Sequence, residues 1–278
     1  MSDFDHYVVF GNPVEHSQSP RIHALFAEQT NDSIRYEKLF VPLGEFKKSV
    51  MKFIDAGGRG ANVTVPFKVD AFELATTHSQ RAQYAQAVNT LTFRDGQIFA
   101  DNTDGVGLVN DITRNLGFSV TGKSVLIVGS GGATRGVLLP IVQERPREIV
   151  VINRTAAKAD ELVKALAQQA NSHSVRIDSG GLDAVGEASF DLVVNATSSS
   201  LTNDAFPVST KALANGALAY DMMYGKQETS FTRWAEMANA ARVSDGLGML
   251  VEQAAESFYL WRGKRPDAKG VIEALRGK

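Results

Sequence analysis

The chain has 278 residues, 29 Lys+Arg against 31 Asp+Glu, and no cysteine. That length suggests two domains, with one large α/β domain as the alternative, and 44% apolar with 22% charged residues excludes wholesale disorder. Without cysteine there is no disulfide framework, thiolate zinc site, iron–sulfur cluster or cysteine nucleophile, and a formal charge of −2 leaves no overall footprint for nucleic acid.

The start, Met1-Ser-Asp-Phe-Asp-His6, is acidic where a signal peptide is basic. The densest apolar runs, Ser124–Val128 and Ile149–Ile152, fall far short of the ~20 residues of a membrane span. We expect a cytoplasmic protein with neither a membrane nor a nucleic-acid partner. His16 and His23 are seven apart and no carboxylate completes a ligand spacing, so no metal is expected.

In chain order, His6–Phe10 reads as a strand running into a polar loop, Gly11–Ser19. A helix starts near Pro20 with Ser19 as its cap. Arg35–Val41 reads as a strand, Glu45–Ala56 as a helix stopped by Gly57-Gly58, and Ala61–Val65 as a strand ended by Pro66 before another helix. Val88–Phe93 and Gln97–Ala100, joined through Asp95-Gly96, form a hairpin. After a helix over Val106–Leu116 a second series begins. Its strands are Ser124–Val128, Glu148–Ile152, Val175–Asp178, Asp191–Val194 and Leu218–Asp221; its helices are Ala133–Glu144, Ala156–Ala170, Thr229–Ala241 and a last one, Met249–Gly263. Strands alternating with helices predict α/β architecture, two open parallel sheets with helices on both faces.

Lys123–Val128, Gly129-Ser130-Gly131-Gly132-Ala133 and the helix behind it form a strand, a glycine turn and a helix. Glycines let the backbone approach a pyrophosphate, and the helix N-terminus offers free N–H groups and its positive dipole end. The strict G-x-G-x-x-G pattern fails at Thr134, and a purely structural βα turn is the alternative. The next strand ends in Asn153-Arg154-Thr155, where an NAD enzyme places a carboxylate for the ribose hydroxyls. A guanidinium there suits a 2′-phosphate, with Thr155 and Lys158 in support; a solvated loop arginine is the competing reading. Gly105-Val-Gly107 also precedes a helix, but Asp101 and Asp104 beside it are unsuited to a pyrophosphate.

Four polar clusters end strands of the first half: Asn12 to Pro20, Asn62 to Lys68, Ala87 to Thr90, and Asp101 to Gly105. Each alone could be a set of side-chain-capped turns. Together they suit a small polyhydroxylated ligand in the crevice beyond the carboxyl ends of strands. Within them Lys68 and Asp104 are the chemically useful pair. Hydride transfer to a ketone leaves an alkoxide needing a proton, which a lysine oriented by a carboxylate can supply. Burial would lower such a lysine's pKa and the anion would raise it, so the pattern leaves the sign open.

These motifs, in this order over nearly the whole chain, resemble the NADP-dependent shikimate dehydrogenase family. They are Asn12-Pro-Val with Ser17-Gln-Ser19-Pro, Asn62-Val-Thr-Val-Pro-Phe-Lys68, Val88-Asn-Thr90, Asp101-Asn-Thr-Asp-Gly105, Gly129-x-Gly-Gly-Ala133, Asn153-Arg-Thr155, Asn195-Ala-Thr-Ser198, Asp221-Met-Met-Tyr224 and Asp245-Gly-Leu-Gly-Met-Leu-Val-Glu-Gln253. The resemblance implies reversible reduction of 3-dehydroshikimate to shikimate with NADP(H), in a cleft between two α/β domains, by a monomer or homodimer. It implies shikimate contacts at Ser17, Ser19, Thr64, Asn89, Asp104, Tyr224 and Gln253, with Lys68 moving the proton and Asp104 orienting it. Gly129, Ser130, Gly131, Gly132 and Ala133, with Asn153, Arg154 and Thr155, would hold the NADP phosphates; Met222 and Gly246 would lie along the nicotinamide. Residues 1–105, completed by C-terminal helices in 246–278, would bind substrate, and residues 106–245 would form the Rossmann-type NADP domain.

Three departures stand out: Ser200 where the family commonly has glycine, no proline in the stretch from Gly225 to Ser230, and Ser130 for the usual alanine. An enzyme with relaxed quinate or NAD preference, and a non-catalytic shikimate sensor on the same fold, are the rival readings. Intact Lys68 and Asp104 weigh against the sensor, and the absent carboxylate at 153–155 weighs against NAD.

Overall fold

The computed structural model describes residues 4–197, 205–225 and 228–277. The chain divides into two compact units, Met1–Gly107 with Leu250–Lys278, and Leu108–Met249.

The first unit begins β1 (Asp5–Gly11), α1 (Ser19–Thr30), β2 (Ile34–Phe40), α2 (Phe46–Asp55), β3 (Gly58–Val63), α3 (Lys68–Leu74), β4 (Thr77–His78) and α4 (Gln80–Ala85). The hairpin β5 (Thr90–Arg94) and β6 (Gln97–Asp101) follows, then α5 (Asp104–Asn110), which runs into a π turn at Asp111–Asn115. The second unit holds β7 (Ser124–Val128), α6 (Gly132–Gln143), β8 (Glu148–Ile152), α7 (Ala156–Ser172), β9 (Arg176–Gly180), β10 (Phe190–Asn195), β11 (Leu213–Asp221), α8 (Ser230–Met237) and β12 (Arg242–Ser244). The chain then enters α9 (Leu247–Arg262) and ends with α10 (Ala268–Arg276).

The first sheet has the order β2-β1-β3-β5-β6-β4. Side-chain alternation along β1 splits its residues between two faces. Val8 and Phe10 join Phe46, Phe53 and Phe67 in one core, while Tyr7 stacks on Trp261 of α9 at 4.6 Å. On that second face Val251, Ala254, Ala255 and Phe258 lie at helical spacing and pack with Ile22 and Phe26 of α1, as an amphipathic helix does.

The second sheet is wholly parallel, in the order β12-β11-β10-β7-β8-β9. Counted from β7, this is the doubly wound dinucleotide-binding order, whose switch point falls between β7 and β10. Ser124–Val128 is buried at every position, as a central parallel strand must be.

Three expectations need correction. The first sheet is mixed, because β5 runs antiparallel to both β3 and β6; a two-residue turn can only join antiparallel strands. Ser19 does not cap α1: Gln18 holds that position without a side-chain bond, and Ser19 is already helical. The helix expected over 106–116 starts at Asp104 and widens into the π turn. The Asp95-Gly96 hairpin has φ of 55° and 71° at those residues, the positive pair a type I′ turn demands.

Candidate active site

Strand register gathers the polar clusters of the first unit. Asn62 pairs with Val9 on one side and Thr90 on the other, and Thr90 pairs with Asp101. Since β5 runs against β3 and β6, its N-terminal end lies where those two strands exit. The loops leading to Thr64 and Lys68, to Asn89, and to Asp104 therefore share one sheet edge. Thr64 also donates its backbone N–H to the Phe10 carbonyl at 2.9 Å, which ties its loop to the end of β1.

At this edge Lys68 Nζ donates to Asp104 Oδ2 at 2.6 Å, the two side chains being 31% and 15% exposed. Asn89 Nδ2 donates to Asp104 Oδ1 at 2.7 Å and to Gln253 Oε1 at 3.3 Å. Asn89 is itself fixed: its Oδ1 accepts from Thr90 Oγ1, from the Thr103 backbone N–H and from Thr103 Oγ1. One amide thus holds the carboxylate beside the ammonium and holds Gln253 of α9 to the same point. The partly exposed ammonium keeps donors to spare for a ligand oxygen.

Ser17 and Ser19 form a second group, Ser17 Oγ donating to Ser19 Oγ at 3.1 Å. Two residues to which the sequence assigns no site role, the half-buried Tyr36 and the buried Ser257, link the groups. Tyr36 donates to Asn62 Oδ1 at 2.7 Å. Burial drives its hydroxyl well above its ordinary pKa, against an opposing hydrogen bond with Ser19. Asn62 Nδ2 in turn donates to the Asn89 carbonyl and to Ser257 Oγ, and Ser257 lies 2.7 Å from Thr90 Oγ1. Ser257 was findable, being four residues beyond Gln253 and on the same helical face. Tyr36 sits in a strand whose pattern gives no functional signal.

In the second unit the glycine turn leaves β7 at the switch point. Gly129 has φ of +106°, and a Cβ there would stand 2.8 Å from Thr197 Cγ2 and 3.2 Å from the Ala196 backbone. Thr134, which breaks the glycine pattern, donates to the Gly129 carbonyl at 2.7 Å and so closes the turn from inside. Gly131 is the N-cap of α6 with no side-chain cap, and a Cβ on Gly131 or Gly132 would meet nothing within 4 Å. Ala133 is exposed. Ser130 Oγ is buried with no hydrogen-bond partner among the described residues.

Thr155 caps α7 without using its side chain, Asn153 Nδ2 bonds the Thr155 carbonyl, and Arg154 and Lys158 are exposed. Two helix N-termini without side-chain caps, an orphaned hydroxyl and an exposed guanidinium are donors that fit a phosphorylated dinucleotide. Gly246 packs on the Met222 carbonyl so closely that a Cβ would lie 2.3 Å from it; Tyr224, 43% exposed, follows in the same loop. Burial raises the Tyr224 phenol's pKa. Asp221 holds this loop, accepting from Asn195 Nδ2, the Met223 N–H and Thr229 Oγ1. Ser198, Ser200, Lys226 and Gln227 lie outside the described residues.

Among the described residues no cluster of His, Asp and Glu could hold a metal, and no helix is long and apolar enough to cross a membrane.

The shikimate dehydrogenase substrate binding domain matches residues 9–91, the shikimate / quinate 5-dehydrogenase family residues 111–205, and the shikimate 5'-dehydrogenase C-terminal domain residues 246–276. A shikimate dehydrogenase (NADP(+)) of Dechloromonas aromatica is 52% identical over 100% of this chain and 99% of its own. The crystal structure of an Ael1 enzyme from Pseudomonas putida is 48% identical, with a TM-score of 0.92 over 98% of both chains. A shikimate 5-dehydrogenase from Thermus thermophilus, solved in complex with NADP(H) and shikimate, is 30% identical with a TM-score of 0.85 over 99% of both.

Proposed function

Because the chain belongs to the shikimate dehydrogenase family, we propose that it catalyses the reversible NADPH-linked reduction of 3-dehydroshikimate to shikimate, on the route to chorismate and the aromatic amino acids. The observation carrying this reading is the Lys68–Asp104 pair at 2.6 Å, anchored by Asn89 on an edge of hydroxyls and amides.

NADP(H), when bound, supplies or accepts the hydride at the ring carbon. This chain's residues handle the proton and the positioning. In reduction Lys68 Nζ gives its proton to the oxygen that becomes the hydroxyl; in oxidation it takes that proton back. Asp104 and Asn89 aim the ammonium, so no reorganisation is needed at the moment of transfer. Ser17, Ser19, Thr64, Asn89, Asp104 and Gln253 of the first unit would bind the substrate; hydroxyls and amides match a polyhydroxylated ring better than an apolar wall would.

Backbone N–H groups across Gly129, Ser130, Gly131, Gly132 and Ala133 would hold the pyrophosphate. Asn153, Arg154 and Thr155 would hold the 2′-phosphate, the guanidinium binding it in paired, charge-assisted fashion. Met222 and Gly246 would face the nicotinamide. Residues 1–105 with 246–278 then form the substrate-binding part and 106–245 the NADP-binding part. We place the enzyme in the cytoplasm as a monomer or homodimer, with small molecules as its partners.

The test is the nicotinamide absorbance change with shikimate or quinate and NADP+ or NAD+. Shikimate with NADP+ should give the highest kcat/KM. Lys68→Ala should lose about 10²–10⁴-fold in kcat with the shikimate KM largely kept. Near-wild-type turnover in that variant would remove Lys68 from its role, and a wild type silent with shikimate under either cofactor would overturn the reading.

A further inference from the structure

Behind the Lys68–Asp104 edge lies a second polar cluster that the reaction above does not use. Arg81 of α4, with 21% of its side chain exposed, donates from Nε to Asp101 Oδ1 at 2.7 Å and from Nη2 to Asp101 Oδ2 at 2.8 Å. The same Nη2 donates to Glu256 Oε1 at 2.8 Å. Both carboxylates are otherwise occupied. Asp101 Oδ1 accepts from Ser79 Oγ and from the Asn102 N–H, and Glu256 also pairs with Arg265. Two cations and two anions thus balance in a largely buried group.

The placement of the two anions gives the cluster its meaning. Asp101 ends β6 three residues before Asp104, and Glu256 lies about one turn beyond Gln253 on α9. These two elements meet again at the site, where Asn89 bonds both Asp104 and Gln253. We propose that Arg81 is a positioning residue: its guanidinium fixes β6 and α9 in register, so that Asp104 and Gln253 arrive together at the Asn89 amide. A planar fork with five donors can grip one carboxylate with two bonds and reach a second; an ammonium on a flexible stem cannot hold that geometry. Desolvation of the guanidinium is offset by these partners, which raise its pKa, and the Glu256 carboxyl, although desolvated, is held below its ordinary range by Arg265 and Arg81.

Arg81 bears on turnover only through the shikimate chemistry proposed above, so the wild type assayed with shikimate and NADP+ is the first arm. If it is inactive, that chemistry fails, whatever Arg81 does. With an active wild type, Arg81→Met and Arg81→Lys should each lower kcat/KM for shikimate by about 10- to 100-fold, the scale of misplacing a site by a fraction of an ångström to one. The KM for NADP+ should stay within about two-fold, since every partner of Arg81 belongs to the first unit. Glu256→Gln, a milder change that keeps shape, should act in the same direction. In a Gln253→Ala background its further effect should shrink to less than about three-fold, because the two then share one function. A lowered Tm with shikimate kcat/KM intact, or fully additive effects of Glu256→Gln and Gln253→Ala, would reduce the cluster to a brace for stability and overturn the proposal. Should Arg81→Met fail to fold, the Glu256→Gln and Gln253→Ala cycle decides alone.

Discussion

At the scale of single residues, His23 shows what burial does to a titrating group. Its ring is fully buried, stacked on Tyr36 at 4.2 Å among Phe26, Phe258 and Trp261. Neither ring nitrogen has a hydrogen-bond partner among the described residues. Desolvation lowers its pKa from 6.5 to about 3. Between those values the unfolded chain binds a proton that the native state refuses. Stability is therefore full above pH 6.5 and falls as the pH drops toward 3, by up to about 1.4 kcal/mol per pH unit. His23→Phe removes that dependence and an unsatisfied polar ring at once. Its Tm at pH 7 should match or exceed the wild type's, and it should decline less between pH 6 and pH 4. Parallel acid limbs in thermal melts of the two proteins would contradict this. The paired carboxylates Asp32, Glu37, Glu148 and Glu256 have lowered pKa values, so their contribution is also lost on acidification, but equally in both proteins.

Among the elements, the turn between β7 and α6 separates two demands on glycine. Gly129 needs a positive φ and has no room for a Cβ, whereas Gly131 has an ordinary φ of −81° and open space around it. Gly129→Ala should cost about 1–3 kcal/mol and raise the KM for NADP+. Gly131→Ala should leave the Tm within about a degree, since such a site away from contacts stays within ~0.5 kcal/mol, yet still raise the KM for NADP+ by crowding the pyrophosphate. Equal melting temperatures for the two variants would refute the distinction. What could be read from the sequence was local at this scale. Asp95-Gly96 specifies its hairpin through backbone sterics alone, and β7 announces itself by its unbroken apolar run from Val125 to Val128. What escaped depends on distant partners. The π turn at Asp111–Asn115 has no sequence periodicity of its own, and the short β4, α4 and β12 owe their form to neighbours. Tyr36 acquires a role only because Asn62, 26 residues on, lies opposite its hydroxyl. Lys68 and Asp104 could be chosen by chemistry, but their contact across 36 residues required the antiparallel β5.

For the whole molecule, the decisive fact is that the first unit is discontinuous and the second is not. Residues 108–249 carry their own core, built around Phe190, Phe206, Phe231 and Trp234. As a fragment they should melt cooperatively and bind NADP+. Residues 1–107 alone should not, because Ile22 and Phe26 lose Val251, Ala254, Ala255 and Phe258, and Asp5 and Asp32 lose Arg262. Joining residues 250–278 to them through a flexible linker should restore a cooperative transition by circular dichroism; a cooperative melt of 1–107 alone would contradict this. The same discontinuity sets an order of events on the ribosome. At roughly 5–20 residues per second, the stretch between the two halves of the first unit takes about 7–30 s to emerge. Through that interval α1 waits with its apolar face bare, while the second unit, encoded without interruption, can close. The residues synthesised first are thus among the last to be locked in place, and a nascent chain depends longest on protection from chaperones at its own beginning.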